Sequence, residues 1–373
     1  MNLPEPAKES RTSLPEGDWL APCNGHRVWW CEGGDAQGVP VLVVHGGPGG
    51  SSRLEPTRWL DGLPVRWIAL DQRGCGRSQP LGQTEANTLD ALLGDMERLR
   101  EQLQLPRWAL LGGSWGALVS LAYAARWPER VAGLMLRSPF FGTPAETRRY
   151  IAAWPQWLGE SGHAWLGQAQ ADALLALYSG ASPGSREALL PGTVSDSRNS
   201  LAGWAAEGVQ AMPMLVATPT PPDDGASETQ EQERLARCWQ AFDDAQSHVG
   251  GVAASGARFD AGRLAPATPQ SLAAWRVHAH FALQGFGLAG KRLAVPKELA
   301  VPMALVWGEA DATCDPTLAR ALANGALHLR ACAVAGAGHR MSDPQLAPAL
   351  AEAAREWVGE LALQATERQR NLR

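Results

Sequence analysis

Short, wholly apolar segments that stop at glycine most restrict the folds available to this chain of 373 residues. Val41 to Val44 stops just short of Gly46, and Trp108 to Leu111 runs into Gly112. Val65 to Leu70 is a similar run, apolar except for Arg66, and ends at Asp71. Because such runs are apolar on both faces, they are typical of strands buried inside a parallel sheet. Helical patterns separate them, so the sequence predicts an α/β fold with a mostly parallel central sheet and helices on both faces.

The strand pattern breaks off between about residues 142 and 296. Helical segments rich in alanine and tryptophan occupy this stretch, and strand character returns with Met303 to Trp307 and Leu327 to Val334. The stretch is far longer than a loop needs. We therefore predict one core domain, residues 1–141 and 297–373, and a helical cap, residues 142–296. Since the insertion follows the sixth strand, it should cover the carboxyl ends of the strands, where such sheets bind ligands.

Composition narrows the range of partners. Hydrophobic residues make up 45%, charged residues 19% and the net charge is -5, with no long basic run, so nucleic acid is not expected as a partner. The sequence has neither a secretory signal in its first residues nor a long apolar run, so no membrane association is expected. The six cysteines form no C-x-x-C pair, which fits reduced thiols in the cytoplasm. Neither a cofactor nor a metal is expected.

One of the predicted strands leads into a serine. Gly112-Gly113-Ser114-Trp115-Gly116 matches G-x-S-x-G and lies between an apolar strand and a helical pattern over 115–126. Such a turn has no room for side chains at the flanking positions, and it projects the serine oxygen at the top of the sheet, near a helix N-terminus. Alone, the motif is equally compatible with an exposed serine in a glycine-rich turn. With the partner residues described next, it predicts Ser114 as a nucleophile.

A serine nucleophile needs a base, and the base needs a residue that orients it. His339 alone among the eight histidines follows a late strand within a glycine-rich loop. Asp311 ends the turn after the strand Met303 to Trp307, and the chain order Ser, Asp, His is that of α/β-hydrolases. Glu309 and Asp315 are nearby carboxylates, but Asp315 precedes a proline and is better suited to a turn or cap. We predict His339 as general base and Asp311 as its orienting residue.

Backbone amides should stabilise the oxyanion that forms during attack. The amide of Trp115, directly after the nucleophile, is one expected donor. The other should come from the glycine-rich loop at 45–50, and we predict Gly47, because glycine lets the backbone approach the substrate closely. This loop is a poor match to a dinucleotide fingerprint, since Pro48 lies inside it.

Four motifs together resemble the proline iminopeptidases, the S33 peptidases of the α/β-hydrolase superfamily. In chain order they are H-G-G-P-G-G at 45–50, D-Q-R-G-C-G-R-S at 71–78, G-G-S-W-G at 112–116 and G-A-G-H at 336–339. They span roughly residues 40 to 345. The resemblance implies the α/β-hydrolase fold with a helical cap. It also implies an enzyme that removes an N-terminal residue, usually proline, from peptides or small amides.

In this family, acidic side chains of the cap hold the free amine of the substrate. The first corresponding segment is W-Q-A-F-D at 239–243, which places Asp243 at the acidic position. The second is R-V-H-A-H-F at 276–281, which places His278 where the family has a glutamate. A histidine does not supply a fixed negative charge. Asp243 either binds the amine or lies on a solvated helix face, and His278 either lines the pocket without a charge or packs inside the cap. Gly46 is grouped with them as a substrate-contacting residue.

Three functional hypotheses follow, which differ in the substrate or in whether the protein is catalytic. The first is a metal-free aminopeptidase that acts on small peptides or amino-acid amides through an acyl-enzyme. The second keeps the chemistry but takes a small ester or amide metabolite, and the missing acid at His278 supports it. The third, a hydrolase-fold protein that binds ligands without catalysis, is disfavoured because such proteins usually lose a triad member and Ser114, Asp311 and His339 are all present.

Overall fold

A single mixed sheet organises the chain. The computed structural model describes residues 13–179, 228–288, 299–325 and 329–371. The strands are β1 (Asp18–Trp19), β2 (Trp29–Gly34), β3 (Val39–Val44), β4 (Val65–Leu70), β5 (Trp108–Gly113), β6 (Val131–Arg137), β7 (Met303–Gly308) and β8 (Leu329–Val334). Their spatial order is β1-β2-β4-β3-β5-β6-β7-β8. The first two strands are antiparallel to their neighbours, and all pairs from β4 to β8 along this order are parallel.

Helices cover both faces of the sheet. In chain order the described helices are α1 (Glu55–Arg58), α2 (Leu89–Gln102), α3 (Trp115–Arg126), α4 (Pro144–Ile151), α5 (Trp154–Leu166), α6 (Gln168–Ser179), α7 (Glu228–Gln246), α8 (Gly251–Ser255), α9 (Pro269–Leu283), α10 (Pro316–Gly325) and α11 (Leu346–Asn371). Alternate residues of the strands point to opposite sides. Leu42 and Val44 therefore pack with α2 and α3, whereas Val41 and Val43 pack with α11. The predicted α/β architecture, a mostly parallel central sheet with helices on both faces, is confirmed.

One helix is longer than the sequence predicts, and parts of a predicted strand and of a predicted domain boundary lie outside the described residues. The apolar pattern of the sequence predicts a final amphipathic helix over roughly Leu346 to Leu361, but α11 continues to Asn371. The added residues include glutamine, alanine, glutamate and arginine, which favour helix without needing a buried face. The strand expected from Leu327 begins at Leu329, because 327 and 328 lie outside the described residues. The predicted domain boundary at 296/297 also lies outside them.

A second hydrophobic core lies among the helices between β6 and β7. It includes the buried aromatic side chains of Tyr150, Trp154, Trp157 and Phe242. Trp154 and Phe242 meet edge to face, with ring centroids 5.2 Å apart. These helices, α4 to α9, thus bury apolar surface against one another rather than only against the sheet.

The backbone of helix α9 lies against the backbone of the glycine-rich loop after β3. A Cβ on Gly49 would lie only 2.3 Å from the carbonyl oxygen of Ala274, and Gly49 has φ +88°. Both facts exclude a side chain at this position. The loop at 45–50 is therefore enclosed between the sheet below and α9 above.

The turn after β4 is fixed by buried charges. The Asp71 carboxylate accepts hydrogen bonds from the Ser52 amide at 2.6 Å and the Arg77 amide at 2.8 Å. Arg73 forms a buried ion pair with Asp95 of α2. Full hydrogen bonding of both partners is what makes buried charges tolerable. Asp71 and Arg73 thus hold the loops around the sheet edge, and neither lines the cavity that contains Ser114.

Candidate active site

Ser114 occupies a strained turn between β5 and α3. Its backbone has φ +56° and ψ -123°, a conformation that L-residues rarely adopt. A Cβ on Gly112 would lie 2.3 Å from the carbonyl oxygen of Gly116, and a Cβ on Gly116 would lie 2.2 Å from that of Val44. Neither distance allows a side chain. The two flanking glycines of the motif are therefore required by space, as the sequence pattern predicts.

Asp311 and His339 are joined after β7 and β8. His339 Nδ1 and Asp311 Oδ2 are 2.8 Å apart. The other carboxylate oxygen, Oδ1, accepts the amides of Thr313 at 2.8 Å and Cys314 at 2.9 Å. Burial opposes ionisation of Asp311, but the charge and hydrogen bond of His339 and the Cys314 amide outweigh it and lower the pKa of Asp311. The aspartate is thus held ionised beside the imidazole.

The two carboxylates that compete with Asp311 in the sequence have other partners. Glu309 pairs with Arg320 at 2.8 Å. Asp315 accepts the amide and hydroxyl of Thr317, at 2.9 and 2.8 Å, at the start of α10. Asp315 thus has the position of a helix cap, and the carboxylate bonded to His339 is that of Asp311.

Ser114 and His339 line one cavity of about 200 Å³, which we call the serine cavity. The Ser114 hydroxyl lies 3.7 Å from the sulfur of Cys314. Within the described part of the chain, no hydrogen bond joins it to His339. Catalytic hydrogen bonds are often long or misaligned without substrate. The serine cavity also contains Gly46, Gly47, Asp243 and His278, so the predicted residues other than Asp311 and Trp115 line it directly.

Two backbone amides are available beside Ser114. Those of Gly47 and Trp115 donate to no other residue that the structure describes, and Trp115 is the first residue of α3. Gly47 has φ +128°, and a Cβ there would lie 2.6 Å from the Gly50 nitrogen. Free amides at a helix N-terminus and in a glycine turn are the usual components of an oxyanion hole.

His45 is a structural histidine of the glycine-rich loop. Its Nδ1 lies 2.8 Å from the Gly46 carbonyl oxygen, and its Nε2 accepts the Gln72 amide at 3.0 Å. The Gln72 side chain in turn accepts Trp115 Nε1 at 2.8 Å. Burial lowers the pKa of His45, so the ring is neutral, with its proton on Nδ1. This chain of hydrogen bonds fixes the loop relative to the serine turn.

Asp243 presents a carboxylate to the serine cavity from α7. Its Oδ1 accepts the Tyr150 hydroxyl at 2.7 Å. Burial raises the pKa of Asp243, while the Tyr150 hydrogen bond and the charge of His339 act in the opposite direction. The adjacent Asp244 is exposed and pairs with Arg340. Of the two aspartates that follow Phe242, Asp243 is therefore the one at the cavity.

His278 also lines the serine cavity but, unlike Asp243, carries no carboxylate. Its Nε2 is hydrogen-bonded to the Tyr178 hydroxyl, which also accepts Trp239 Nε1 at 3.0 Å. Burial lowers the pKa of His278 to about 4, so the ring is neutral at physiological pH. The cavity wall thus combines one carboxylate with a neutral aromatic network.

The tryptophans between β6 and β7 divide between the core of helices α4 to α9 and the serine cavity. Trp154 and Trp157 are buried in that core, stacked with ring centroids 5.4 Å apart. Trp165 and Trp275 pack at the edge of the same core, and Trp239 also lines the serine cavity. Trp204 lies outside the described residues. Since regularly spaced aromatic residues of helices usually pack in a core, the sequence predicts that most of these tryptophans pack and that one or two contact substrate. The described ones divide in this way.

Several cavity residues were not predicted from the sequence. Arg137, Cys314, Tyr150 and Tyr178 all line the serine cavity. The chain has only 3 tyrosines, and the presence of two in the cap was a usable signal. Arg137 ends the strand β6 and donates a hydrogen bond to the His339 carbonyl. Because the carboxyl ends of parallel strands line the ligand site, the position of Arg137 at the end of β6 was also a usable signal.

Two further features concern metals and membranes. Within residues 13–179, 228–288, 299–325 and 329–371, no group of three or more His, Cys, Asp or Glu side chains is arranged to hold a metal ion. In the same ranges, none of the helices combines the length and apolar character required to cross a bilayer.

The fold and the arrangement of these side chains define a serine hydrolase of the α/β-hydrolase class. Residues 39–343 match the family model described as alpha/beta hydrolase fold. A proline iminopeptidase of Neisseria meningitidis serogroup A is 31% identical over 331 residues, which cover 88% of this chain and 91% of the relative. That of Neisseria gonorrhoeae is 44% identical over 137 residues, 37% of this chain and 42% of the relative. The chain belongs to the proline iminopeptidase family of the α/β-hydrolase superfamily.

Solved structures of other proteins share the fold of this chain. A proline iminopeptidase-related protein of Thermus thermophilus aligns with TM-score 0.51 and 23% identity, over 93% of this chain and 98% of its own. An esterase of Rhodococcus aligns with TM-score 0.53 and 15% identity, over 92% of this chain and 99% of its own. At these identities the likeness establishes the fold.

Proposed function

We propose that this protein is an aminopeptidase that releases the N-terminal residue of small peptides or amino-acid amides through an acyl-enzyme at Ser114. The single observation that carries the proposal is the carboxylate of Asp243, which lines the same cavity as Ser114 and His339. A partly buried carboxylate, held by the Tyr150 hydroxyl at 2.7 Å, is a suitable partner for an ammonium group. The names of the Neisseria relatives agree with this reading.

In the proposed mechanism, His339 takes the proton of Ser114 as its oxygen attacks the substrate carbonyl carbon. Asp311 holds the imidazole in the tautomer with Nδ1 protonated and stabilises the imidazolium. The amides of Gly47 and Trp115 donate to the oxyanion. His339 then protonates the leaving amine as the C–N bond breaks, and water releases the acyl group by the same steps. The Ser114 hydroxyl must first turn from Cys314 toward His339.

The helical region supports a second proposal, that residues 142–296 act as a cap that selects the substrate. Asp243, Tyr150 and His278 come from α7, α4 and α9 and line the serine cavity together with Ser114 of the core. Cap residues thus contact the substrate, while residues of the sheet edge supply the chemistry. The free cysteines are compatible with a cytoplasmic location, and we propose one.

An esterase or amidase of a small metabolite is the second candidate function. The neutral His278–Tyr178–Trp239 network favours it, because that part of the wall carries no negative charge to pair with an ammonium group. Substrates without a free amine would then bind as tightly as substrates that have one. The two candidates differ in one measurable property, the dependence of turnover on the substrate's charge.

Alanine and proline p-nitroanilides, with free and with N-acetylated amines, test the proposal. We expect acetylation to lower kcat/KM by about 100-fold, as when one partner of a desolvated charge pair is removed. Asp243→Asn should cause a similar loss for the free amines and little change for the acetylated substrates. Asp244→Asn, the neighbouring exposed aspartate, is the matched control and should retain activity.

Two results would contradict the proposal. Equal turnover of free and acetylated substrates would favour the esterase or amidase instead. A serine-reactive phosphonate that labels the wild type and Ser114→Ala equally would remove Ser114 from the mechanism.

A further inference from the structure

A second cavity adjoins the serine cavity. Its volume is about 320 Å³, and we call it the arginine cavity because Arg53 lines it. The two cavities share five wall residues, Gly46, Gly47, Arg137, Trp239 and Asp243. A substrate whose reacting carbonyl lies between these shared walls therefore has a cavity on each side of the bond that breaks.

Two arginines, Arg53 and Arg137, line the arginine cavity together with the carboxylate of Asp243. The exposed Arg53 has no ion pair or hydrogen bond to any residue in the described ranges. Arg137 is 6% exposed, and its Nε is buried with no hydrogen-bond partner among the described residues. A buried N–H group without an acceptor is unfavourable unless a ligand supplies one.

The position of Arg53 is determined by its neighbour. The Ser52 amide donates to Asp71 at 2.6 Å and the Ser52 hydroxyl donates to the Leu70 carbonyl at 2.7 Å. The backbone that carries Arg53 is thus attached to the end of β4. The charge of Arg53 also acts on the neighbouring His45, where it contributes to lowering the pKa after burial. The guanidinium is therefore close to the glycine-rich loop beside the reacting bond.

We propose that the arginine cavity binds the leaving group and that Arg53 recognises its free carboxylate, so that dipeptides are preferred substrates. This rests on the proposed aminopeptidase function. A dipeptide in water is a zwitterion, and its two ends lie roughly 7 Å apart when extended. The ammonium group pairs with Asp243 and the carboxylate pairs with Arg53. Guanidinium and carboxylate form charge-assisted, often bidentate hydrogen bonds.

The chemistry balances without a co-reactant other than water. Ser114 Oγ bonds to the first carbonyl carbon, the peptide C–N bond breaks, and the second amino acid leaves with a proton from His339. Water then cleaves the acyl-serine ester, which restores Ser114. One dipeptide and one water give two amino acids, and the second amino acid carries the carboxylate that Arg53 held.

The test compares alanyl-alanine with alanyl-alanine amide, which differ only in the terminal charge. The wild type should cleave the dipeptide with about tenfold higher kcat/KM, and this preference should shrink as salt screens the exposed arginine. Arg53→Gln should reduce the ratio to near one by raising KM for the dipeptide alone, because the contact is equal in ground and transition states. Arg330→Gln, an exposed arginine of β8, is the matched control.

The outcomes separate the two proposals. If the amide is cleaved as well as the dipeptide, or if Arg53→Gln lowers turnover of both equally, the carboxylate subsite is wrong while the aminopeptidase function stands. If neither dipeptides nor alanine p-nitroanilide are cleaved by the wild type, the aminopeptidase function fails and the subsite fails with it.

Discussion

The Asp311 carboxylate is bonded on both oxygens, with Oδ2 2.8 Å from His339 Nδ1 and Oδ1 held by two backbone amides. This arrangement leaves the imidazole one orientation relative to the carboxylate. It also distinguishes Asp311 from Asp315, which caps α10. The distinction can be tested directly.

Asp311→Asn should lower kcat by about 10⁴-fold with little change in fold, because an amide favours the wrong tautomer of the histidine. Asp315→Asn is the matched control, and its kcat should stay within a factor of a few. Steady-state kinetics and circular dichroism of the two variants check this. Similar losses in both would mean that Asp311 has no special role in orienting His339.

Replacing glycine by alanine should have opposite effects on stability in the serine turn and in helix α2. Gly116→Ala would place a Cβ 2.2 Å from the Val44 carbonyl oxygen, whereas a Cβ on Gly94 of α2 meets nothing within 4 Å. We expect Gly116→Ala to lower the free energy of unfolding by several kcal/mol, as overpacking does. Gly94→Ala should raise it by about 0.5–1 kcal/mol, since alanine favours helix. Denaturant titration measures both, and a stable Gly116→Ala protein would contradict the described turn.

A buried glutamate couples the cap to the turn that holds Asp311. Glu146 accepts the Phe141 amide at 2.9 Å and the Asp315 amide at 3.3 Å. Burial raises its pKa to about 7. Because this value lies above the ordinary one, the folded state holds the proton more tightly, and the stabilisation present at acidic pH is lost as pH rises through about 7.

Glu146→Gln should therefore remove part of the pH dependence of stability. Between pH about 4.5 and 8, the free energy of unfolding of the wild type should fall by about 3 kcal/mol relative to Glu146→Gln. Denaturant titrations of both proteins at several pH values measure the difference. Parallel curves for the two proteins would mean that Glu146 titrates normally.

His278 should matter less to amine recognition than Asp243. Because its pKa is about 4, it carries no charge under assay conditions, and glutamine can replace its hydrogen bond to Tyr178. We expect His278→Gln to change KM for alanine p-nitroanilide by less than about tenfold, the value of one neutral hydrogen bond. A loss as large as that of Asp243→Asn would show that His278 acts on the ammonium group directly.

The sequence was most informative where the backbone alone decides the structure. Gly112, Ser114 and Gly116 are predictable because a tight turn excludes side chains, and that requirement is local. The strands were predictable because parallel sheets need residues that are apolar on both faces. The family resemblance added the acidic position at 243.

Contacts between distant segments were not predictable. Tyr178 and His278 are separated by 100 residues and meet only because α6 and α9 pack together in the cap. The raised pKa of Glu146 depends on burial that no local pattern reveals. Arg53 would be an ordinary surface arginine without the cavity beside it. These three features depend on how helices α4 to α9 pack on one another and on the sheet, and a local sequence pattern does not predict that packing.

The close approach of Gly49 to Ala274 has a consequence for protein engineering. Main-chain atoms of α9 and of the loop that contains Gly47 meet there with no intervening side chain. In a chimera carrying the cap of another relative, a shift of α9 by a fraction of an ångström would displace that loop as well. Altered turnover in such a chimera would then report on both oxyanion geometry and specificity, and a transition-state analogue would be needed to tell them apart.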